Sequence, residues 1–296
     1  MNGQSHPASV VLVECPRDAF QGLPQFIPTQ EKIAYLKTLI DAGFTHIDFG
    51  SFVSPKAVPQ MRDTEEVFAA VRDHRKGIYF IAIVANERGL DRALQIDGVP
   101  AIGYPFSISE SFQKNNTGKS VSESWPVLEA LQRRAMAAGI ELNVYLSMGF
   151  GNPYGEPWSV VLVTETLRRF RDTGIRIVML ADTTGCAQPA QIREIFAACR
   201  QVCPELSPGA HFHASPTKWR ANAEAALDAG CARLDSALGG IGGCPFAQEE
   251  LVGNLPTEGL LKLFRERGIA VPVNEERVTD VLRMAKRIDE TYSSAD

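Results

Sequence analysis

The stretch PGAHFHASPTKWRANAEAALDAGCARLDS, residues 208–236, contains the structural unit that repeats along this chain. A short apolar run ending in His211-Phe212-His213 predicts a strand, and the amphipathic segment 218–228 predicts a helix. Gly230 follows that helix in the place where a left-handed residue ends helices, and a second apolar run begins after it. Because side chains alternate along a strand, His211 and His213 project from the same face and can bind one ion.

The same unit recurs through the chain. Four predicted helices end in a small residue and a glycine before an apolar run, at Ala42-Gly43, Ala138-Gly139, Thr173-Gly174 and Ala229-Gly230. A helix between successive strands makes each strand parallel to the one before it. The eight predicted strands are 10–13, 45–49, 79–84, 101–105, 141–147, 176–181, 210–213 and 233–236. The amphipathic helices between them include 31–41, 64–73, 123–137, 161–172, 189–202 and 218–228.

Eight such units in about 250 residues predict an α/β fold, a (β/α)8 TIM barrel with extra C-terminal helices. A doubly wound open sheet is the alternative, but no glycine-rich phosphate loop follows the first predicted strand. We predict one domain over residues 1–296, with the barrel at about 8–256 and a helical cap at about 257–296.

Composition narrows the functional class. A hydrophobic content of 45% and a charged content of 22% are typical of a globular protein, and no apolar run is long enough to cross a bilayer. The N-terminus has no signal-peptide pattern, and the six cysteines have irregular spacings, so we predict a cytoplasmic protein with reduced thiols. A formal charge of −5 argues against a nucleic-acid partner, and we predict no membrane partner.

Polar residues follow most of the predicted strands. Arg17 and Asp18 come after the first strand, Asp48 ends the second and Asp182 ends the sixth. In a barrel, these positions meet at the rim where loops follow strands. Carboxylates gathered there with the two histidines predict a divalent-metal site. The glycine-rich run 238–245, which contains Cys244 and is followed by Asn254, allows the backbone to approach a ligand closely.

These motifs together carry a family resemblance. Arg17-Asp18, the run Ser-Phe-Val-Ser-Pro-Lys at 51–56, His211-x-His213, Gly-Gly-Cys-Pro at 242–245 and Asn254 resemble hydroxymethylglutaryl-CoA lyase. This lyase belongs to a metal-dependent barrel family that also includes isopropylmalate and homocitrate synthases. The similarity runs in register from about residue 11 to residue 264, and two of the motifs resemble the lyases more than the synthases.

The resemblance implies a set of metal ligands and an activity. Asp18, His211, His213 and Asn254 match the residues that hold Mg²⁺ or Mn²⁺ in such lyases. The implied reaction is the cleavage of 3-hydroxy-3-methylglutaryl-CoA, or a close 3-hydroxyacyl-CoA, to acetyl-CoA and acetoacetate. The partner is therefore a small-molecule acyl-CoA, and we predict a homo-oligomer, a dimer.

The same resemblance assigns roles to further residues. Arg17 would stabilise the thioester enolate, and Cys244 would protonate the carbanion or help to exclude water. Asp48 and Asp182 would orient Arg17 or the ligands. Lys56 and Asn116 are candidates for contacts with the CoA moiety, as is the Ser109-Glu110 loop. The base that takes the hydroxyl proton, His211 or a carboxylate, is left open.

Each role has a structural alternative. Arg17 and Asp18 would be an ordinary ion pair if they stood alone, and a free cysteine such as Cys244 is often a buried small apolar residue. Two other functions are compatible with the same ligands: a carboligase that condenses acetyl-CoA with a 2-oxo acid, and a metal-binding barrel without catalysis.

The chain also departs from the familiar lyases. Asp48 stands in place of a glutamate, and Ala-Ser-Pro-Thr at 214–217 replaces Asp-Thr-Tyr-Gly after the second histidine. Cys15 precedes Pro16 where a valine and a glycine are usual, and the loop 148–154 lacks the usual cysteines. These differences touch none of the four presumed ligands, but they leave the acyl group of the substrate open.

Overall fold

The structure, a computed structural model, describes residues 7–243 and 252–294. Its centre is a closed barrel of eight parallel strands, in which each strand pairs with its neighbours in chain order and the last pairs with the first. The barrel strands are β1 Val11–Glu14, β2 His46–Ser51, β3 Tyr79–Ile83, β4 Ala101–Ser107, β5 Glu141–Ser147, β6 Ile177–Asp182, β7 Ser207–Ala214 and β8 Arg233–Ser236. The predicted TIM barrel is confirmed.

Helices surround the barrel and cover its outer face. They are α1 Pro16–Phe20, α2 Thr29–Asp41, α3 Thr64–Val71, α4 Glu87–Leu94, α5 Glu110–Thr117, α6 Val121–Ala137, α7 Val160–Asp172, α8 Pro189–Val202, α9 Trp219–Asp228, α10 Thr257–Arg267 and α11 Glu275–Tyr292. The main core lies between this layer and the barrel. None of the described helices has both the length and the apolar character that a bilayer span requires.

The repeating unit read from the sequence is present at each predicted place. The glycines that were predicted to end helices, Gly43, Gly139, Gly174 and Gly230, all have positive φ angles, between 71° and 95°. This backbone conformation carries no steric cost for glycine, which explains why the helices stop there and strands follow. The eight predicted strands match β1 to β8 with shifted ends, and the extra C-terminal helices are α10 and α11.

Some elements were not predicted. The helices α1, α4 and α5 are short, at 5, 8 and 8 residues, and none of them was among the predicted helices. A ninth strand, β9 Gly253–Asn254, pairs antiparallel with the end of β7 and places Asn254 opposite His213. A strand of two residues has no periodicity that sequence analysis could detect.

Candidate metal centre and active site

Arg17 and Asp18 lie on α1, the short helix that follows β1. Pro16 occupies its first turn, where a proline is already compatible with helix, and every residue of the helix is buried. One oxygen of Asp18 accepts hydrogen bonds from Arg17 at 2.9 Å and from Gln21 at 3.0 Å. The helix therefore turns both charged side chains towards the barrel mouth and fixes the carboxylate there.

The two histidines of β7 both point into the barrel, as the strand alternation predicts. Their ring centroids lie 5.1 Å apart, and both side chains are buried. Nδ1 of His211 is 3.0 Å from Oδ2 of Asp235, a β8 residue that faces the same interior. This contact leaves Nε2 of His211 as the nitrogen available to an ion, the arrangement in which carboxylates commonly orient histidine ligands.

Asp18, His211 and His213 form a buried triad whose donor atoms all lie within 4.8 Å of one another. Nε2 of His213 is 3.9 Å from Oδ2 of Asp18, a distance that one ion between them can bridge. One carboxylate oxygen and two imidazole nitrogens suit a borderline divalent cation. The residues present therefore fit the metal that the sequence predicted.

Asn254 completes this side of the centre. Its Nδ2 donates hydrogen bonds to Oδ2 of Asp18 and to the carbonyl of Ile241, both at 2.9 Å. In this orientation the amide nitrogen, not the oxygen, faces Asp18, so the amide oxygen would reach an ion at this centre only if the carboxamide rotated. Gly242 makes the close approach possible, because a Cβ there would lie 2.8 Å from the Asn254 amide.

Asp48 forms an ion pair with the Arg17 guanidinium. Nε of Arg17 donates to both oxygens of Asp48, at 3.2 and 3.0 Å, and Nη2 donates to Oδ2 at 2.5 Å. This is the bidentate geometry that fixes a guanidinium most firmly. With Nη1 bonded to Asp18, each terminal nitrogen of Arg17 keeps one N–H for another oxygen.

Burial and the neighbouring charges set the pKa values of this cluster. Burial opposes the charge of Asp18, but Arg17 and the two imidazoles outweigh it and hold the pKa of that carboxyl well below its ordinary value. Burial raises the pKa of Asp48 to about 6, against the attraction of Arg17, so the carboxylate is ionised at neutral pH.

The two imidazoles respond to the cluster in opposite directions. Burial lowers the pKa of His213 to about 4, with help from His211 and Arg17. Burial also acts to lower the pKa of His211, but the hydrogen bond and charge of Asp235 raise it above its ordinary value. His213 is therefore neutral at pH 7, the form in which histidine binds metals.

A cavity of about 390 Å³ opens next to the triad. Apolar side chains of Val53, Ile83 and Pro105 form part of its wall. The hydroxyl-bearing residues Ser51, Ser147 and Thr183 and the charged Arg17 also line it. The size and the mixed lining suit a small polar ligand that carries an apolar portion.

Tyr145 extends from β5 into the barrel and stacks edge-on against His211, with ring centroids 5.5 Å apart. Gly103 on the adjacent strand makes room for it, since a Cβ at that position would lie 2.7 Å from the tyrosine ring. The phenol faces the same cavity as Arg17. Tyr145 therefore fixes one edge of the His211 imidazole and shapes the interior beneath the cavity.

Comparison with known proteins shows where this arrangement belongs. The family-wide sequence profile described as HMGL-like matches residues 12–285. The hydroxymethylglutaryl-CoA lyase of Bacillus subtilis is 34% identical over 286 residues, which are 96% of this chain and 94% of that protein. The chain belongs to the HMGL-like family.

Solved structures of HMGL-like lyases superpose closely. The HMG-CoA lyase of Bacillus subtilis has a TM-score of 0.90 at 32% identity, covering 98% of this chain and 95% of that one. An HMG-CoA lyase from Acinetobacter baumannii, solved in complex with coenzyme A and 3-methylmalate, has a TM-score of 0.88 at 31% identity, covering 95% and 91% of the two chains. The resemblance found in the sequence motifs thus extends over the whole barrel.

Asp182 was predicted to orient Arg17 or the metal ligands, but the structure places its side chain elsewhere. Ala181 and Thr183 line the cavity, so Asp182 between them points away from it. Its carboxylate accepts hydrogen bonds from the backbone N–H groups of Cys186 at 3.0 Å and Ala187 at 2.9 Å. The side chain therefore holds the loop after β6, and among the described residues it contacts neither Arg17 nor the triad.

The other predicted site residues lie in different surroundings. Asn116 lines the cavity, at its exposed edge on α5. Lys56 is exposed in the loop after β2 and does not line the cavity, although Ala57 beside it does. Cys244 lies outside the described residues, so its predicted role stays a prediction.

Asp235, Tyr145 and Gln21 were not predicted as site residues. Asp235 is a polar residue near the end of the eighth predicted strand, and it makes the direct contact with His211. Its signal was available, because β8 neighbours β7 in a closed barrel and inward positions alternate along both strands. Tyr145 and Gln21 had no comparable signal, since an aromatic residue in a strand and a glutamine in a helix are common without function.

Proposed function

We propose that this chain is a divalent-metal-dependent carbon–carbon lyase that cleaves 3-hydroxy-3-methylglutaryl-CoA to acetyl-CoA and acetoacetate. The observation that carries the proposal is the position of Arg17, which is clamped by Asp48 next to the triad of Asp18, His211 and His213. A fixed guanidinium beside a metal-binding triad, in a cavity of about 390 Å³, suits a reaction that generates negative charge on an oxygen.

Mg²⁺ or Mn²⁺ is the proposed cofactor. Asp18, His211 and His213 would hold it, joined by Asn254 once its carboxamide has rotated. When bound, the ion supplies Lewis acidity that lowers the pKa of a coordinated hydroxyl group and orients the substrate. Asp235 keeps His211 in the tautomer that offers Nε2, and Asp48 fixes the guanidinium that also donates to Asp18.

The bond that breaks joins the carbinol carbon to the α-carbon of the thioester. A carboxylate of the cluster takes the hydroxyl proton, because the two ring nitrogens of a metal-bound His211 would already be used by the ion and by Asp235, and the oxygen electrons form the ketone of acetoacetate. The electrons of the broken bond move to the thioester as an enolate. The free N–H groups of Arg17 donate hydrogen bonds to that enolate oxygen, which costs no reorganisation because Asp48 already fixes the guanidinium.

Protonation of the enolate carbon then gives acetyl-CoA. Cys244 is the proposed proton donor, because it follows the glycine-rich residues 238–243, of which Gly242 packs beside Asp18 and Asn254. Replacing Cys244 with serine should lower turnover and leave metal content unchanged. Full activity of that variant would show that the Cys244 thiol is not the proton donor.

The deciding experiment incubates the Mg²⁺-loaded protein with hydroxymethylglutaryl-CoA and measures acetoacetate and acetyl-CoA in equal amounts. A sample stripped with EDTA should be inactive, the Arg17→Met variant should turn over about 10³-fold more slowly than the wild type, and restoring Mg²⁺ should rescue only the stripped sample. If the metal-loaded protein forms no acetoacetate, hydroxymethylglutaryl-CoA is excluded as its substrate. Appearance of free thiol from acetyl-CoA and a 2-oxo acid would instead favour a carboligase.

The acyl group requires its own test. The Acinetobacter relative was solved with coenzyme A and 3-methylmalate, which also carries a hydroxyl group on the carbon β to a carboxyl group. The CoA thioester of 3-methylmalate should therefore be assayed beside hydroxymethylglutaryl-CoA, with kcat/KM compared. A higher value for the methylmalate thioester would change the substrate and keep the reaction class.

We also propose that the protein is a cytoplasmic homodimer. Light scattering should then give a mass about twice the 32.4 kDa of one chain. A monomer mass at micromolar concentration would contradict the dimer and leave the proposed chemistry unaffected.

A further inference from the structure

Glu14 is a fully buried carboxyl group that the proposed reaction does not use. It is the last residue of β1, and its neighbours Val13 and Cys15 face the barrel interior, so Glu14 faces outwards towards α10. One oxygen accepts a hydrogen bond from the backbone N–H of Leu238 at 2.8 Å. The other oxygen is 2.5 Å from the hydroxyl of Thr257.

These bonds join three segments of the chain that reach the site. Glu14 itself precedes α1, which carries Arg17 and Asp18. Leu238 begins the glycine segment, defined as residues 238–243, and Thr257 begins α10 shortly after Asn254. The Glu14 side chain therefore links the glycine segment to the segments that carry Asp18 and Asn254, beside the backbone hydrogen bonds that join Ala237 to Leu255 and Thr257.

Two further hydrogen bonds come from the glycines at the start of the segment. The N–H of Gly239 donates to the half-buried carboxylate of Glu258 at 3.0 Å, and Gly240 donates to the carbonyl of Ala237. Positive φ angles at Gly239, Gly240 and Gly242 give the segment a conformation that depends on such bonds. Further along, Gly242 packs against Ala19 and the Asn254 amide. A displacement at Leu238 would therefore reach the contacts of Asp18 and Asn254.

The surroundings of Glu14 favour a neutral carboxylic acid, because no cation is among its hydrogen-bond partners. The Thr257 hydroxyl lies 2.5 Å from one Glu14 oxygen and 2.7 Å from the Ser236 hydroxyl, so a protonated Glu14 can donate to Thr257 and leave the threonine proton for Ser236, while the second Glu14 oxygen accepts from Leu238. The titratable groups that face Glu14 are Glu258 on α10 and Tyr35 on α2, and neither supplies a positive charge. Burial without a cation raises the pKa of Glu14 to about 8.

We propose that Glu14 is a positioning residue for the metal centre: as a neutral acid, it fixes the glycine segment in the place that Asp18 and Asn254 require. Its effect on turnover rests on the proposed lyase function. Its effects on the glycine segment and on metal affinity can be measured whether or not the protein is a lyase.

The experiment compares Glu14→Leu with Glu14→Gln. Leucine removes both hydrogen bonds and leaves the Leu238 N–H without its partner, whereas glutamine keeps one donor and one acceptor in nearly the same shape. Glu14→Leu should speed amide hydrogen exchange in residues 236–243, weaken Mn²⁺ binding about tenfold and lower kcat more than it raises KM. Glu14→Gln should restore all three to within about twofold of the wild type.

Two further variants keep the test decisive. If Glu14→Leu fails to fold, Thr257→Val removes only the hydroxyl partner and should change exchange and Mn²⁺ affinity in the same direction by about threefold. Glu258→Gln is the matched comparison, because its amide oxygen can still accept from Gly239, and exchange at Leu238 should not change.

Three outcomes overturn the positioning role. They are wild-type exchange and Mn²⁺ affinity in Glu14→Leu, the same result in Thr257→Val if the leucine variant does not fold, and a Glu14→Gln variant as impaired as Glu14→Leu. The last would show that a charged carboxylate is needed. If the wild type binds Mn²⁺ but forms no acetoacetate, the lyase proposal fails, while exchange and metal affinity still decide the role of Glu14.

Discussion

The two ends of the barrel both carry buried polar residues, but they arrange their charges differently. At the rim, Asp18 and Asp48 bracket Arg17, and Asp235 is bonded to a histidine. At the opposite end, where the barrel strands begin and which we call the floor, Arg233 lies over the ring of Tyr79. The guanidinium carbon is 5.6 Å from the ring centroid. Among the described residues, no carboxylate forms an ion pair with Arg233.

The difference indicates what each end requires. Three carboxylates face one guanidinium at the rim, and an excess of buried negative charge is stable only when a cation compensates it. The floor needs no such partner, because an aromatic face stabilises Arg233 and burial with Arg233 lowers the pKa of His46 to about 4, so that this histidine is neutral. The rim is therefore arranged for a bound cation, and the floor is arranged for packing.

The largest expected effect is the removal of the positive charge at the rim. Arg17→Met should lower kcat about 10³-fold with a small change in KM, because the lost hydrogen bonds act on the enolate and not on the bound substrate. Steady-state kinetics on hydroxymethylglutaryl-CoA provide the measurement. Arg17→Lys is the matched control and should retain part of the activity, since it keeps the charge but cannot reproduce the bidentate contact with Asp48. A rise in KM alone would contradict the role in the transition state.

The next effect concerns the cation itself. His213→Ala removes one nitrogen of the triad and should weaken Mn²⁺ binding about 100-fold, measured by calorimetric titration. His74→Ala is the control. His74 is exposed and bonded to Asp41, and it is not part of the triad, so this variant should bind Mn²⁺ as the wild type does. An unchanged titration for His213→Ala would remove it from the ligands.

The rim could be predicted from the sequence to the extent that its residues belong to periodic elements. The helix-ending glycines and the apolar runs gave the barrel, and the barrel brought Asp18, His211 and His213 together at one rim. Asp48 was likewise predicted beside Arg17, and the structure places it there.

What could not be predicted depends on short-range geometry. The strand β9, which brings Asn254 against His213, has no hydrophobic period, and its pairing is formed by the backbone. Asp182 was expected at the site because it ends a strand, but its position in the alternation turns it outwards, to the backbone of Cys186 and Ala187. One residue of register decides between a site residue and a loop anchor.

Asp235 and Arg233 allow a sharper comparison, because both lie on β8 and face the barrel interior. Asp235→Asn should weaken Mn²⁺ binding about tenfold and leave the fold intact, since an amide orients the His211 imidazole less strongly than a carboxylate does. The metal titration should be paired with circular dichroism. Wild-type affinity would show that Asp235 does not orient a metal ligand.

Glu14 gives a prediction for pH. Its pKa is raised from 4.5 to about 8 in the folded protein, so the folded state binds more protons than the unfolded state between these values. Its contribution to the free energy of unfolding therefore falls as pH rises through this window, by at most roughly 1.4 kcal/mol per pH unit, and is constant above it.

Glu14→Gln cannot titrate and should abolish that contribution. Urea unfolding of both proteins at pH 5 and pH 8 should show the variant gaining stability relative to the wild type as pH rises. Glu258 and Tyr35 face Glu14 in both proteins, so the difference between them isolates the titration of this side chain. A constant difference across the range would show that Glu14 is ionised throughout.

The smallest expected effect is at the floor. Arg233→Met should leave Mn²⁺ affinity and kcat within about twofold of the wild type, because no hydrogen bond joins Arg233 to Asp235 among the described residues and the floor charge acts on Tyr79 and His46. The free energy of unfolding should change by no more than about 1 kcal/mol, since a cation–π contact is lost but a buried charge is also removed. The same Mn²⁺ titration as for Asp235→Asn tests this. A tenfold loss of affinity would mean that the floor and the rim are coupled through β8, and the two ends of the barrel could then no longer be treated as separate in function.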